Sequence, residues 1–337
     1  MIYPKFIKEK DIIGVTSPSD GITKSEKIYR LDSAIKNWSS LGYFIQETKN
    51  VRTSKKGRSS TSMERANEIH QLLENDRINA IICSSGGDFL LEILPYLNFN
   101  IIKDNPKWIQ GYSDPTGLLY TITTNLDIAT IYGDNFGSFG MNPWHKSLSN
   151  NLEILKGNLI TQYSFDKYEK DYQEYLIGDE PYCLTENVCW ENLGQEEKIQ
   201  VTGRIIGGCL DILNDLFGTR FDNTKNFIEK YKKDGIIWYF DICELSIEQL
   251  VRTLWKLKDN GWFCHTKGII FGRIPKETSY YEISLKEAII HSIGELQIPI
   301  ILNADIGHVS PRMTIINGSI ATVESVDGKG KINFQLQ

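Results

Sequence analysis

The sequence predicts an α/β protein: an N-terminal, mostly parallel sheet flanked by helices, then a second α/β domain with a β-rich C-terminal part. Three observations carry this expectation. Up to about residue 135, short apolar runs alternate with segments of helical spacing, the pattern of a parallel sheet covered on both faces. A polar, Tyr-rich stretch then interrupts the pattern, and apolar segments resume at Val201. The chain of 337 residues is also long enough for two domains.

Taken in order, Asp11–Ser17 is an apolar run ending in the turn residues Ser17-Pro18-Ser19-Asp20. Lys24–Leu41 spaces Ile28, Leu31, Ile35 and Trp38 along one helical face, and Gly42 stops it. Tyr43–Glu47 is a second strand. Ser62 caps a helix to Leu73, with Glu64 placing an acid in its first turn. Ala80–Ser84, closed by Gly86-Gly87, and Trp108–Gly111 are further strands; Pro115–Asn125 is the next helix and Ala129–Tyr132 a fifth strand. Residues 1–145 thus form the N-terminal domain and 146–200 a linker or excursion with a short helix. Residues 201–337 form the C-terminal domain. There Gly207-Gly208 precedes a helix at Cys209–Leu216. Strands Ile236–Phe240, Gly268–Gly272 and Ile298–Leu302 alternate with helices Ile247–Lys258 and Ser284–Ile293. Short strands around Met313–Ile316, Ala321–Val323 and Ile332–Phe334 close the chain.

Composition excludes several classes. With 37 Lys+Arg against 43 Asp+Glu the net charge is −6, which argues against a nucleic-acid partner. The longest apolar stretches fall far short of the roughly 18 residues that span a membrane, and the opening MIYPKFIKEKDIIGV has no signal-peptide pattern. A cytoplasmic protein with reduced cysteines is the expectation. The five histidines form no HxH, HExxH or HxxxH pair, so no metal or cofactor is expected.

Four segments can carry chemistry. In Gly111-Tyr112-Ser113-Asp114-Pro115-Thr116, a serine between strand and helix can sit on a tight elbow beside backbone N–H groups. Ser113 or Asp114 as a plain helix cap explains the same residues. Ser84-Ser85-Gly86-Gly87-Asp88 lets backbone approach a ligand closely, or simply turns the chain. His308, in a Gly/Pro-bounded loop after a strand, has the setting of a general base, with His145 and His265 as rivals. Asp241 at the carboxyl end of Ile236–Phe240 can orient a histidine, or cap the next helix, which Ser246 serves as well. The order Ser113…Asp241…His308 is one known order for a serine triad.

Seven segments, in order, resemble the LD-carboxypeptidase family of serine peptidases, which includes the microcin C immunity peptidases. They are GVTSPSDGI (14–22), AIICSSGGD (80–88) with Arg65 in the helix before it, GYSDPTGLL (111–119) and TGRIIGGCLDIL (202–213). WYFDICELSIEQLVRTL (238–254), IIFGRI (269–274) and NADIGHVSPRMTIINGSIATV (303–323) complete the set. The resemblance implies Ser113 as nucleophile, His308 as base and an oxyanion hole from the N–H groups of Gly87 and Asp114, with Gly86 alongside substrate. The family's acid is a glutamate; alignment through Arg252 puts Asp241 there, with Glu244 as the alternative. Cys209 stands where the family usually has Asn. The resemblance implies a hydrolase of peptidoglycan recycling that acts on murein tetrapeptides. The runner-up is an immunity peptidase acting on a peptidyl-nucleotide amide, on whose base Trp190 would stack, although packing explains Trp190 equally well. It also implies a homodimer. A non-catalytic binding protein of the same fold is the third reading.

Overall fold

The computed structural model describes residues 1–170, 176–194 and 197–337. Parts of the expected 146–200 excursion, residues 171–175 and 195–196, lie outside them. The chain divides into two compact units. The first consists of Met1–Ile160, Gln173–Cys183 and Met313–Gly318; the second of Thr161–Tyr172, Leu184–Arg312 and Ser319–Gln337.

In the first unit the elements are β1 (Ile12–Thr16), α1 (Ser25–Ser40), β2 (Phe44–Glu47), α2 (Ser62–Glu74), β3 (Ile78–Cys83), α3 (Phe99–Asp104), β4 (Trp108–Gly111), α4 (Thr116–Leu126), β5 (Thr130–Tyr132) and α5 (Lys146–Leu155). The second unit contributes β6 (Gln162–Tyr163), β7 (Lys167–Tyr168), β8 (Glu186–Asn187), β9 (Glu191–Leu193), β10 (Lys198–Cys209), α6 (Leu210–Leu216), α7 (Thr224–Tyr231), β11 (Ile236–Asp241), α8 (Ile247–Asp259), β12 (Thr266–Gly272), α9 (Leu285–Ile293) and β13 (Ile300–Ala304). The chain then forms β14 (Ile315–Asn317), β15 (Ile320–Val326) and β16 (Lys329–Gln335).

The first sheet has the order β14-β5-β4-β3-β1-β2 and is parallel except at β14. Its strands carry apolar residues on both faces, as helices on both sides require: Ile13, Val15, Ile81, Ile82, Trp108 and Ile109 are all buried. α1 buries Leu31, Ala34 and Trp38, and Trp38 meets Tyr43 and Phe139 edge-on. The second sheet has the order β6-β16-β15-β10-β11-β12-β13-β9. β10 to β13 are parallel, and β15, β16, β6 and β9 are antiparallel additions. Capping boxes open α8 (Ser246 with Gln249) and α9 (Ser284 with Glu287). No helix among the described residues is long and apolar enough to cross a membrane.

The parallel sheet with flanking helices and the β-rich second unit agree with the expected fold class. Several details differ. Thr61 rather than Ser62 caps α2, accepting from Glu64 N at 3.3 Å. Met313–Ile316, expected beside the terminal strands, supplies β14 at the edge of the first sheet instead. Gly207-Gly208, expected only to precede a helix, lies inside the twelve-residue β10. Glycine is needed there because a Cβ on Gly207 would stand 1.8 Å from Tyr239 O on the neighbouring strand. The 146–200 stretch is not a single excursion: α5 belongs to the first unit, and β6 to β9 to the second.

Candidate active site

Strand order makes β1 and β3 neighbours at the switch point of the first sheet, where open α/β sheets hold ligands at strand carboxyl ends. Three loops leave that edge: Ser17–Asp20 after β1, Ser84–Asp88 after β3 and Tyr112–Pro115 after β4. They are tied together. Ser17 and Ser84 hydroxyls hydrogen-bond each other, Ser85 Oγ donates to Asp20 O at 3.0 Å, and Ser19 Oγ donates to the Asp114 carboxylate.

Ser113 is half-buried and has φ +70°, a left-handed conformation that costs a non-glycine residue about 1–3 kcal/mol. The surroundings over-determine it. Thr116 N donates to Ser113 O at 2.9 Å, and Ser113 N donates to Tyr132 Oη at 3.4 Å. Asn135 brackets Tyr112, accepting from its N at 3.2 Å and donating to its O at 3.3 Å. Gly111 lets the chain double back tightly, since a Cβ there would lie 2.7 Å from Pro115 Cβ. These are the features of a strand-to-helix elbow.

The helix-cap explanation of these residues does not hold. α4 begins at Thr116 with no side-chain cap, and the Asp114 carboxylate instead accepts from Ser19 Oγ and from Leu90 N at 2.9 Å. Burial raises the Asp114 pKa to about 6, with those two hydrogen bonds opposing the rise. Its side chain therefore locks the loops, while its backbone N–H lies beside Ser113 just ahead of α4. Gly87 is required, and Gly86 sits close against Ser113. A Cβ on Gly86 would stand 3.1 Å from Ser113 Oγ, and Gly87 has φ +151° with space for a Cβ closed by Ser19 Oγ at 2.3 Å.

The second unit holds the acid and the histidine. Asp241 ends β11, a strand buried along its whole length, and is itself 0% exposed. Its Oδ2 lies 2.7 Å from His308 Nδ1, and its Oδ1 accepts from His308 N at 3.1 Å. Gly307 makes this approach possible: at φ +95°, a Cβ there would lie 2.0 Å from Asp241 Oδ1. Burial pulls the His308 pKa down, but the Asp241 charge and hydrogen bond, with help from the Cys243 thiol, more than reverse this, so the net shift is upward. Glu244 is exposed, and its backbone N donates to Asp211 Oδ1 at 2.9 Å. The structure thus brings Asp241 to His308, and leaves Glu244 in a loop that Asp211 pins through Cys243, Glu244 and Leu245 N–H groups.

A buried network anchors the His308 loop. Asp305 pairs with Arg273 at 2.7 Å and accepts from Trp190 Nε1 at 2.9 Å. Arg273 also donates to Pro311 O, and Arg312 Nε to Gly307 O at 2.6 Å. Burial raises the Asp305 pKa against the pull of Arg273. Trp190 is 2% exposed and packs closely against Gly330, where a Cβ would lie 2.0 Å from the ring, so little of it faces solvent. The rival histidines lie elsewhere: His145 caps α5 through Ser147 N, and His265 precedes β12 at φ +59°. Sequence reasoning missed Ser19, Asp211 and Arg273 as supports, because each acts through partners 30 or more residues away. A metal-ligating arrangement also emerges from distant residues: ligand atoms of Cys209, Asp241 and His308 lie within 4.8 Å of one another.

Comparison with known proteins points one way. Residues 13–133 match the model of the LD-carboxypeptidase N-terminal domain, and residues 202–323 that of the C-terminal domain. The putative carboxypeptidase YocD of Bacillus subtilis is 28% identical over 98% of both chains. The microcin C7 self-immunity protein MccF of Escherichia coli is 29% identical over 77% of this chain and 74% of its own. The structure of MccF in complex with aspartyl sulfamoyl adenosine has a TM-score of 0.84 at 25% identity, covering 100% of both chains. An MccF-like protein from Bacillus anthracis reaches 0.85 at 27%, again with 100% coverage of both.

Proposed function

The chain belongs to the LD-carboxypeptidase family of peptidases, and from that premise we propose that it hydrolyses amide bonds with Ser113, His308 and Asp241 as a serine triad. One observation carries the reading most: the elbow conformation of Ser113 is kept at a strain cost, and strain of that kind collects at working residues. The Asp241–His308 pair supports it, since a carboxylate on Nδ1 leaves Nε2 as the basic nitrogen.

The mechanism follows from these groups. His308 Nε2 takes the Ser113 hydroxyl proton as Oγ attacks the substrate carbonyl. The N–H groups of Gly87 and Asp114 hold the oxyanion, helped by the dipole of α4. His308 then protonates the leaving nitrogen, and water releases the acyl-enzyme through the same base. Asp241 holds the imidazole tautomer and stabilises the imidazolium. Its 2.7 Å approach to His308 speaks against a degraded, non-catalytic site.

For substrate, we favour the terminal L,D bond of a murein tetrapeptide, a reading supported by a family description that names an LD-carboxypeptidase and by a Bacillus subtilis relative named a probable murein peptide carboxypeptidase. An aminoacyl- or peptidyl-nucleotide amide is the second reading, favoured by the aspartyl sulfamoyl adenosine held by MccF. Trp190 does not serve that second reading, being buried against Asp305 and Gly330. Cytoplasmic location and a homodimer remain parts of the same proposal. A side-by-side assay on a murein tetrapeptide and an aminoacyl sulfamoyl adenosine, with products identified by mass spectrometry, separates the two readings. Release of D-alanine alone supports the first, cleavage of the nucleoside alone the second, and cleavage of neither contradicts both.

A further inference from the structure

We propose that Cys209, Asp241 and His308 form a binding site for a zinc-like divalent cation, and that filling it switches the histidine off. The three ligand atoms come from positions the fold fixes. Cys209 and Asp241 are register partners at the carboxyl ends of the parallel strands β10 and β11, and both are buried. His308 is delivered by a loop held from three directions: its own N–H on Asp241, Arg312 on Gly307 O, and Arg273 on Asp305.

The donor set decides the cation. Thiolate, imidazole and carboxylate together suit zinc or a similar borderline metal; magnesium and calcium take oxygen. Three protein ligands with a fourth position open to water is a common zinc arrangement. In a tetrahedral site the ligand atoms stand roughly 3.3–3.7 Å apart, from bond lengths of about 2.0–2.3 Å. The atoms here lie within 4.8 Å of each other, with His308 Nδ1 and Asp241 Oδ2 at 2.7 Å. Capture therefore needs that pair to part by less than an ångström and the thiol to close in. On binding, the Cys209 thiol proton and the His308 Nδ1 proton pass to solvent, and the freed electron pairs go to the cation. His308 then loses its hydrogen bond to Asp241, and its Nε2 becomes a poorer base.

The inhibitory half of this inference rests on the proposed Ser113–His308 chemistry; the cation site itself does not. The test uses the full chain, stripped with EDTA and titrated with Co2+, whose thiolate complexes have a near-ultraviolet charge-transfer band. One cobalt per chain with that band is expected, lost in Cys209→Ser and kept in Cys243→Ser. Zinc should displace the cobalt and slow fluorophosphonate labelling of Ser113 by at least about tenfold, with recovery on EDTA. No thiolate band in the wild-type protein overturns the site whatever the variants do, as does a band that survives Cys209→Ser. A band with undiminished labelling upholds the site and contradicts the Ser113–His308 reading instead.

Discussion

The loop that carries Ser113 and the loop that carries His308 are held by opposite means. Ser113 is placed by backbone: a left-handed residue, three glycines that admit close approach, and hydroxyl contacts of Ser17 with Ser84 and of Ser19 with Asp114. His308 is placed by charge: a buried Asp241, and a buried Arg273–Asp305 pair beneath it. The difference teaches what each position needs. A nucleophile needs direction, which backbone geometry supplies. A base needs a set proton affinity, which here a neighbouring charge supplies against the pull of burial.

The sharpest way to break this contrast is Ser113→Gly. Removing the hydroxyl should lower kcat/KM by about 10^4- to 10^6-fold, while relief of the left-handed strain raises stability by about 1 kcal/mol. Steady-state kinetics and denaturant unfolding read the two effects, and a loss of stability would mean that the backbone there is not strained. In the second region Asp241→Asn should cost up to about 10^4-fold in kcat, the scale of the corresponding change in a well-known serine protease. Because Asp241 raises the His308 pKa, the acid limb of kcat/KM lies above the ordinary histidine value of about 6.5 in the wild type. Without that charge the downward pull of burial is opposed only by the Cys243 thiol, so the limb moves to lower pH. A limb that stays in place would show that another group sets it.

Next comes Arg273→Met, which leaves Asp305 charged and buried without its partner and should destabilise by about 3–5 kcal/mol. Asp305→Asn with Arg273→Met should recover much of that loss, as measured in a double-mutant unfolding cycle. Gly307→Ala should cost about 1–3 kcal/mol and slow turnover, because a Cβ meets Asp241 Oδ1 at 2.0 Å. The smallest effect belongs to Trp190→Phe. It removes the hydrogen bond to Asp305, at about 1–2 kcal/mol, and should leave KM unchanged on either substrate. A raised KM for the nucleoside substrate alone would restore the stacking role.

How much of this was legible in the sequence depends on range. Strands and helices of the first half show because their apolar spacing is local, and Ser113 shows because elbow residues cluster within six positions. Asp241 and His308 are identifiable as strand-end and loop residues, but their pairing is 67 positions long, and chain order only hinted at it until the resemblance pointed to it. β10 was missed because Gly203, Gly207 and Gly208 look like chain breakers, when Gly203 and Gly207 admit neighbouring backbone. β14 was expected in the C-terminal domain because short strands pair by tertiary contact, which no local pattern encodes.

The central claim is that Ser113 is a nucleophile activated by His308. Reaction of the intact chain with a fluorophosphonate, followed by peptide mass spectrometry, tests it most directly. A single adduct on Ser113 is expected, absent in Ser113→Ala and formed far more slowly in His308→Ala and Asp241→Asn. No adduct on the active protein, or an adduct on another residue that persists in Ser113→Ala, would contradict it.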